Sequence, residues 1–186
     1  PLRNRADLVV AVLLTLAIVA VYFQVRHHEF VVYDDRVYVT DNAFVLEGLS
    51  TRGLNWAFDF TEKNKTYWHP LTWLSHMVDV QLFGLNAGKH LIVNVLLHLL
   101  NTLLLFALLK RMTGKIWPSA LVAGLFALHP LNVESVAWVA ARKNLLSSTF
   151  WMVTTLAYVR YTDKPGPGSY ALILTVFSLG LLSKPM

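Results

Sequence analysis

Two adjacent carboxylates, Asp34 and Asp35, follow closely on an apolar run from Leu8 to Phe23. A carboxylate at a membrane edge can take a proton from a hydroxyl group or hold a cation. Adjacent residues point in different directions, so one of the two faces any given pocket; solvated loop acids beside Arg36 are the plainer alternative. A second group is Glu134, Trp138 and Arg142, followed by Lys143. On one continuous helix, positions four apart share a face, and the segment then reads as a phosphate clamp. Arginine grips phosphate oxygens through a two-pronged fork, and Glu134 would orient it. The competing reading is an interfacial helix with snorkelling bases. A third group, His90, Asn94, His98 and Asn101, is spaced by 4, 4 and 3 residues and lies on one helix face. In hydrocarbon such groups face the bundle interior or an aqueous cavity. Interhelical hydrogen bonding accounts for His98 and Asn101, whereas His90 is near enough to the outer edge to reach substrate. His90 and His98 share a face that could hold zinc, but no third ligand is evident, so no metal ligands are assigned and a divalent cation stays open. The Trp68-His69 turn offers an aromatic edge that could stack on a sugar.

The elements that must carry these groups are apolar helices. Five runs read as membrane spans, at about 7–24, 89–109, 116–131, 145–161 and 170–182, each near or below the roughly 20 residues that a crossing needs. The loop 25–88 is too polar to cross, and its apolar-aromatic patches read as short interfacial helices. Asp41-Asn42 is placed to cap a segment from Ala43 to Gly48, and Pro70 to open a helix that runs to Phe83 with Gly84 as its stop. Residues 132–144 form a second polar loop. The turn Lys110 to Lys115 carries three bases and no acid, whereas Val25–Lys89 carries six bases and eight acids. Bases in short loops favour the cytoplasm. Both polar loops then share the outer or luminal face, with the N-terminus cytoplasmic.

Composition supports the same class. Of 186 residues 55% are hydrophobic and 15% charged, with mean hydropathy +0.49, against about 25% charged in soluble domains. The net charge of +5 sits at span ends, where topology accounts for it without nucleic acid. With no cysteine, disulfides and thiolate metal sites are excluded. Arg3 and Arg5 precede the first span, but Phe23-Gln24-Val25-Arg26 lacks a small-residue cleavage site. The chain opens on Pro1 and stops at Lys184-Pro185-Met186, and it is expected to be a piece of a longer protein.

Several segments together carry a resemblance. Asp34-Asp35 with Tyr38, Trp68-His69-Pro70-Leu71, and Leu82-Phe83-Gly84-Leu85 leading to His90, Asn94 and His98 resemble the C-type glycosyltransferase fold. The stretch from His129 to Val139, with Arg142-Lys143-Asn144-Leu145-Leu146 and the ending Leu181 to Met186, is similar to the membrane half of the transmembrane-and-tetratricopeptide-repeat proteins. Their animal members are similar to protein O-mannosyltransferases. The chain departs from the pattern at Asn144, where aspartate is expected, and at Asn132, where histidine is common.

The resemblance implies an all-α polytopic bundle, residues 1–186 being its N-terminal part, with further spans and repeats beyond. It implies inverting transfer of a sugar from a polyprenyl- or dolichyl-phosphate donor to a protein or lipid-linked acceptor, in a fragment inactive alone. The partners are that donor, that acceptor and membrane lipid. The expected location is a bacterial cytoplasmic membrane, or the endoplasmic reticulum membrane in a eukaryote. The candidate site is then Asp34 and Asp35 as catalytic carboxylates and Arg142, Lys143 and Glu134 at the donor phosphate. Trp68, His69, His90 and Trp138 lie against substrate. The alternative is a non-catalytic membrane scaffold on the same fold.

Overall fold

The computed structural model describes residues 5–61 and 67–184. Arg3, residues 62–66 of the first polar loop and the ending Pro185-Met186 lie outside the described residues. The described chain is all-α. Helix α1 (Arg5–Tyr22) continues into a 3-10 turn, Phe23–His27. The first polar loop holds a π-helical turn, Arg36–Thr40, and three helices: α2 (Ala43–Leu46), α3 (Thr51–Phe58) and α4 (Pro70–Phe83). Then come α5 (Ala87–Thr113), α6 (Ile116–Leu128), α7 (Asn132–Ala137), a 3-10 turn (Val139–Ala141), α8 (Arg142–Asp163) and α9 (Pro167–Ser183).

The local signals explain most boundaries. The Asn42 carboxamide oxygen accepts the Phe44 and Val45 N–H groups, which α2 cannot satisfy internally. Pro70 occupies the first turn of α4, where its missing N–H costs nothing. Gly84 ends that helix at φ 60° and ψ −151°, a conformation open to glycine. Gly88 has a different role: a Cβ there would meet the Arg26 carbonyl oxygen at 2.1 Å. Its bare backbone lets the start of α5 press against the turn after α1.

Helix α5 is the central post, packed on α1, α6 and α8, while α9 packs on α8 and α4. Apolar side chains cover the outside. Leu8, Leu13 and Leu16 of α1, Leu121 and Leu125 of α6, and Leu172 and Phe177 of α9 are exposed. The polar stripe of α5 is inside, with His90, Asn94, His98 and Asn101 at 0% exposure. An apolar exterior around a polar interior suits a hydrocarbon solvent.

The five-span expectation is narrowed here. Among the described residues two helices, Arg5–His27 and Ala87–Thr113, are long and apolar enough to cross a bilayer, and Ile116–Leu128 and Pro167–Ser183 are shorter apolar helices. Helix α8 is 22 residues long but less apolar. Its hydroxyls turn inward on its own backbone: Thr149, Thr154 and Thr155 each donate to the carbonyl four residues earlier.

A second correction concerns the Glu134 segment. No single helix runs through it. Helix α7 stops at Ala137, and Trp138 is extended at φ −124° and ψ 123°. Glu134, Trp138 and Arg142 therefore do not form a stripe on one helix face. Around the break, α5 supplies side-chain donors to the backbone. The Asn94 amide donates to Trp138 O at 3.0 Å and Val136 O at 3.4 Å, and the Asn101 amide donates to Leu145 O at 3.0 Å.

Candidate functional site

The first polar loop, the turn before α8 and the end of α9 meet at one end of the bundle. Asp35 ties two of them together. Its carboxylate is buried and accepts the Val31 N–H at 2.9 Å and the Ala140 N–H at 2.8 Å. Burial raises its pKa above the usual carboxylate range, while those two hydrogen bonds oppose the rise. Asp35 thus holds the broken segment to the loop.

Asp34 points elsewhere. Its side chain is 24% exposed, and its carboxylate lies 3.7 Å from the Lys143 ammonium. Lys143 also donates to the Tyr38 hydroxyl at 3.1 Å and sits over the Tyr38 and Tyr67 rings at 4.4 and 5.3 Å. The Tyr38 hydroxyl meets His69 Nδ1 at 2.9 Å. Burial raises the Tyr38 pKa. Burial, then the charges of Lys143 and Lys184, lowers the His69 pKa to about 4, so the imidazole is neutral at physiological pH. Tyr38 is fixed in turn by stacking on Trp73, with ring centres 4.6 Å apart.

A second ammonium lies beside the first. Lys184 Nζ donates to the Asn144 carboxamide at 3.0 Å, and the Asn144 amide reaches Ser135 Oγ at 3.3 Å. A cavity of about 340 Å³ opens here, lined by Asn144, Ser147, Ser148, Trp151 and Lys184. A narrower crevice with Phe150, Phe177 and Leu181 in its walls runs on between α8 and α9. The Thr72 hydroxyl donates to Ser183 O at 2.9 Å, which pins the end of α9 beside Lys184.

Arg142 is not at this opening. Its guanidinium is fully buried, 2.5 Å from Asp79, and donates to Asn94 Oδ1 at 2.8 Å, His90 O at 2.7 Å and Ser75 O at 3.3 Å. The fork is spent on protein acceptors, which leaves none of it for a phosphate. Glu134 is exposed on α7 and does not orient Arg142. Trp68 donates toward Phe58 O at 3.4 Å, and Trp138 sits beside Tyr33 with ring centres 6.0 Å apart. His90 is buried in the layer beneath, where its Nε2 meets Gly84 O at 3.0 Å. His76, Asp79 and His90 form a possible cation-holding group in that layer, all three buried. Burial, then the Arg142 charge, lowers the His76 pKa well below its ordinary value, and burial raises that of Asp79 against the pull of Arg142.

Sequence reasoning missed Asp79, Tyr38 as a hub and Lys184 as a second cation. Asp79 did leave a signal, since an acid inside the apolar run from Leu71 to Phe83 requires a partner. Lys184 left none beyond its place in the closing motif.

Comparison with known proteins points one way. A family model described as dolichyl-phosphate-mannose-protein mannosyltransferase matches residues 70–186. The chain is 33% identical over 173 residues to Protein O-mannosyl-transferase TMTC1 of Mus musculus, covering 87% of this chain and 18% of that protein. It is 33% identical over 137 residues to Protein O-mannosyl-transferase Tmtc2 of Drosophila melanogaster, covering 70% of the chain and 14% of that protein. The match to TMTC1 of Homo sapiens is 31% over 141 residues, or 72% and 16%. The chain thus spans less than a fifth of the length of these relatives. No solved structure matches. On the strength of that family match, which takes in α4 to α9 with Lys143 and Lys184, the chain belongs to the dolichyl-phosphate-mannose-protein mannosyltransferase family.

Proposed function

We propose that the protein transfers a mannosyl group from dolichyl-phosphate mannose, or a related polyprenyl-phosphate sugar, to an acceptor hydroxyl on the outer or luminal face. Asp34 is the general base. It removes the acceptor proton, the acceptor oxygen attacks the anomeric carbon, and the bond from that carbon to the phosphate oxygen breaks. The electron pair leaves with the lipid phosphate. Attack opposite the leaving group inverts the anomeric centre. Lys184, with Asn144 and Lys143, receives the phosphate as its charge grows, and groups placed where charge develops favour the transition state over the ground state. Arg142 and Glu134 have no part in phosphate binding in this scheme, and Asp35 anchors rather than reacts. His69 sets Tyr38, and Tyr38 sets Lys143.

The observation that carries this reading is the half-open carboxylate of Asp34 beside Lys143, next to a Lys184-lined cavity that leads into an apolar crevice. Phosphate affinity and lipid access then meet within reach of a base. Five crossings belong to the same reading, made by α1, α5, α6, α8 and α9. In this reading the end that carries the ion pairs of Lys110 with Asp7 and Arg111 with Asp163 faces the cytoplasm, as the bases of the turn from Lys110 to Lys115 favour. The relatives named above are animal proteins and carry no support for a bacterial membrane. The test is transfer of mannose from dolichyl-phosphate mannose by the full-length protein in membranes. The Asp34→Asn variant is expected to lose transfer while inserting normally; unchanged transfer would overturn the assignment of the base.

A further inference from the structure

His76 is fully buried, and neither of its ring nitrogens has a hydrogen-bond partner. A buried imidazole without partners is costly and calls for an explanation. Two possible ligands lie close by. One atom each from His76, Asp79 and His90 falls within 4.8 Å of the others.

The tautomer of His90 sharpens the point. Its Nε2 faces the Gly84 carbonyl at 3.0 Å. A carbonyl only accepts, so Nε2 carries the proton and Nδ1 presents a bare lone pair. That lone pair faces Asp79 Oδ2 at 3.5 Å and has no donor. Two acceptors facing each other in a dry interior repel unless something positive stands between them.

We propose that His76, Asp79 and His90 hold a divalent transition-metal ion of the zinc class, clamping α4 to α5 beneath the site that contains Tyr38, His69 and Lys143. A two-imidazole, one-carboxylate set suits zinc and its neighbours and disfavours magnesium and calcium. With metal–ligand bonds of about 2.0–2.2 Å, neighbouring ligand atoms of a tetrahedral site stand about 3.4 Å apart. The edge between Asp79 and His90 already has that length, at 3.5 Å. His76, within 4.8 Å of the other two, has to close by up to about 1.4 Å to reach that edge length, within reach of a side-chain rotation.

The surroundings fit as well. The carbonyl on His90 Nε2 fixes the ring, as the outer partners of ligating histidines do. Arg142 holds the Asp79 carboxylate at 2.5 Å, and a carboxylate has lone pairs enough for both an arginine and a metal. The Asp79 and Asp35 carboxylates favour positive charge at His90, whereas Arg142 and Lys143 oppose it at His76. Asp35 is close enough to His90 to act on it electrostatically.

The experiment uses the full-length protein in detergent. After chelator treatment, reloading with zinc and desalting, metal analysis is expected to find about one zinc per chain. Cobalt loading is expected to give visible absorption of a low-coordinate site. His76→Phe and His90→Gln are expected to reduce retained metal at least tenfold, since ligand loss costs no less than the 10–100-fold typical of outer partners. His98→Gln, a buried histidine on the same helix that bonds Ala127 O, keeps it. Should the ligand variants fail to fold, the wild type alone decides. Its thermal midpoint rises on zinc reloading and not on magnesium. A wild type that retains no zinc, shows no cobalt absorption and has an unchanged midpoint would assign the gap to an ordered water and overturn the proposal.

Discussion

Arg142 and Lys143 are neighbours in the chain and each faces a carboxylate, yet they belong to two different regions. Arg142 and Asp79 lie in a closed layer, at 0% and 5% side-chain exposure, and every donor direction in use meets the protein. Lys143 and Asp34 sit at an open edge, at 17% and 24%, and their contact is the looser 3.7 Å. A closed pair stabilises one arrangement and resists exchange. An open pair can part to admit substrate and reform afterwards. Adjacent positions on the first turn of a helix point about 100° apart, which is enough to send one base into the core and the other to the cavity.

The sharpest way to break this contrast is to remove the two carboxylates in turn. Asp34→Asn is expected to lower mannose transfer by about 10²–10⁴-fold, the usual contribution of a general base, with no change in thermal midpoint. Asp35→Asn should act through the Val31 and Ala140 hydrogen bonds instead, lowering the midpoint along with transfer. Loss of activity on both changes with intact stability would give Asp35 a part in the chemistry.

Next comes the closed pair. Arg142→Met removes the guanidinium paired with buried Asp79, and removing one partner of a buried ion pair costs about 3–5 kcal/mol. The double change Arg142→Met with Asp79→Leu should recover much of that, read as folded yield in detergent and thermal midpoint. A stable single variant that lost only donor affinity would place Arg142 at the phosphate after all.

At the open edge, Lys184→Ala is expected to weaken donor binding by about tenfold, the value of one charge-assisted hydrogen bond of roughly 1.5 kcal/mol. Stability should hold, and binding of a labelled polyprenyl phosphate measures the effect. His69 gives a pH signature. Its folded-state pKa of about 4 lies below the ordinary 6.5. The unfolded chain therefore binds the extra proton first, and stability falls as pH drops from about 6.5 to about 4 and levels off below. His69→Gln should remove that slope from the pH dependence of the midpoint.

The smallest effects belong to the stripe on α5. His98→Leu and Asn101→Leu should each cost about 0.6–1.7 kcal/mol of stability, as interhelical hydrogen bonds in membranes do, and leave donor affinity alone.

The helices were legible because their signals are local. Pro70 with Gly84, the Asn42 cap and the stripe His90, Asn94, His98 and Asn101 each act within a few residues, and each appears in place. The break at Trp138 was not legible. The segment Val133 to Ala141 contains no proline or glycine, so nothing local forbids a continuous helix. What interrupts it is distant: the Asn94 amide on its carbonyls and the Asp35 carboxylate on the Ala140 N–H. The fate of Arg142 was hidden for the same reason, since its partner Asp79 lies 63 positions earlier on another helix.

The broken segment also imposes an order on biogenesis. The carbonyls of Val136 and Trp138 accept hydrogen bonds from the Asn94 amide, and that donor belongs to α5, which leaves the ribosome first. Helix α5 is then expected to serve as a template, with its donors in place before the broken segment emerges. A chain whose α5 inserted late would present those carbonyls to lipid and to the quality-control machinery that surveys it.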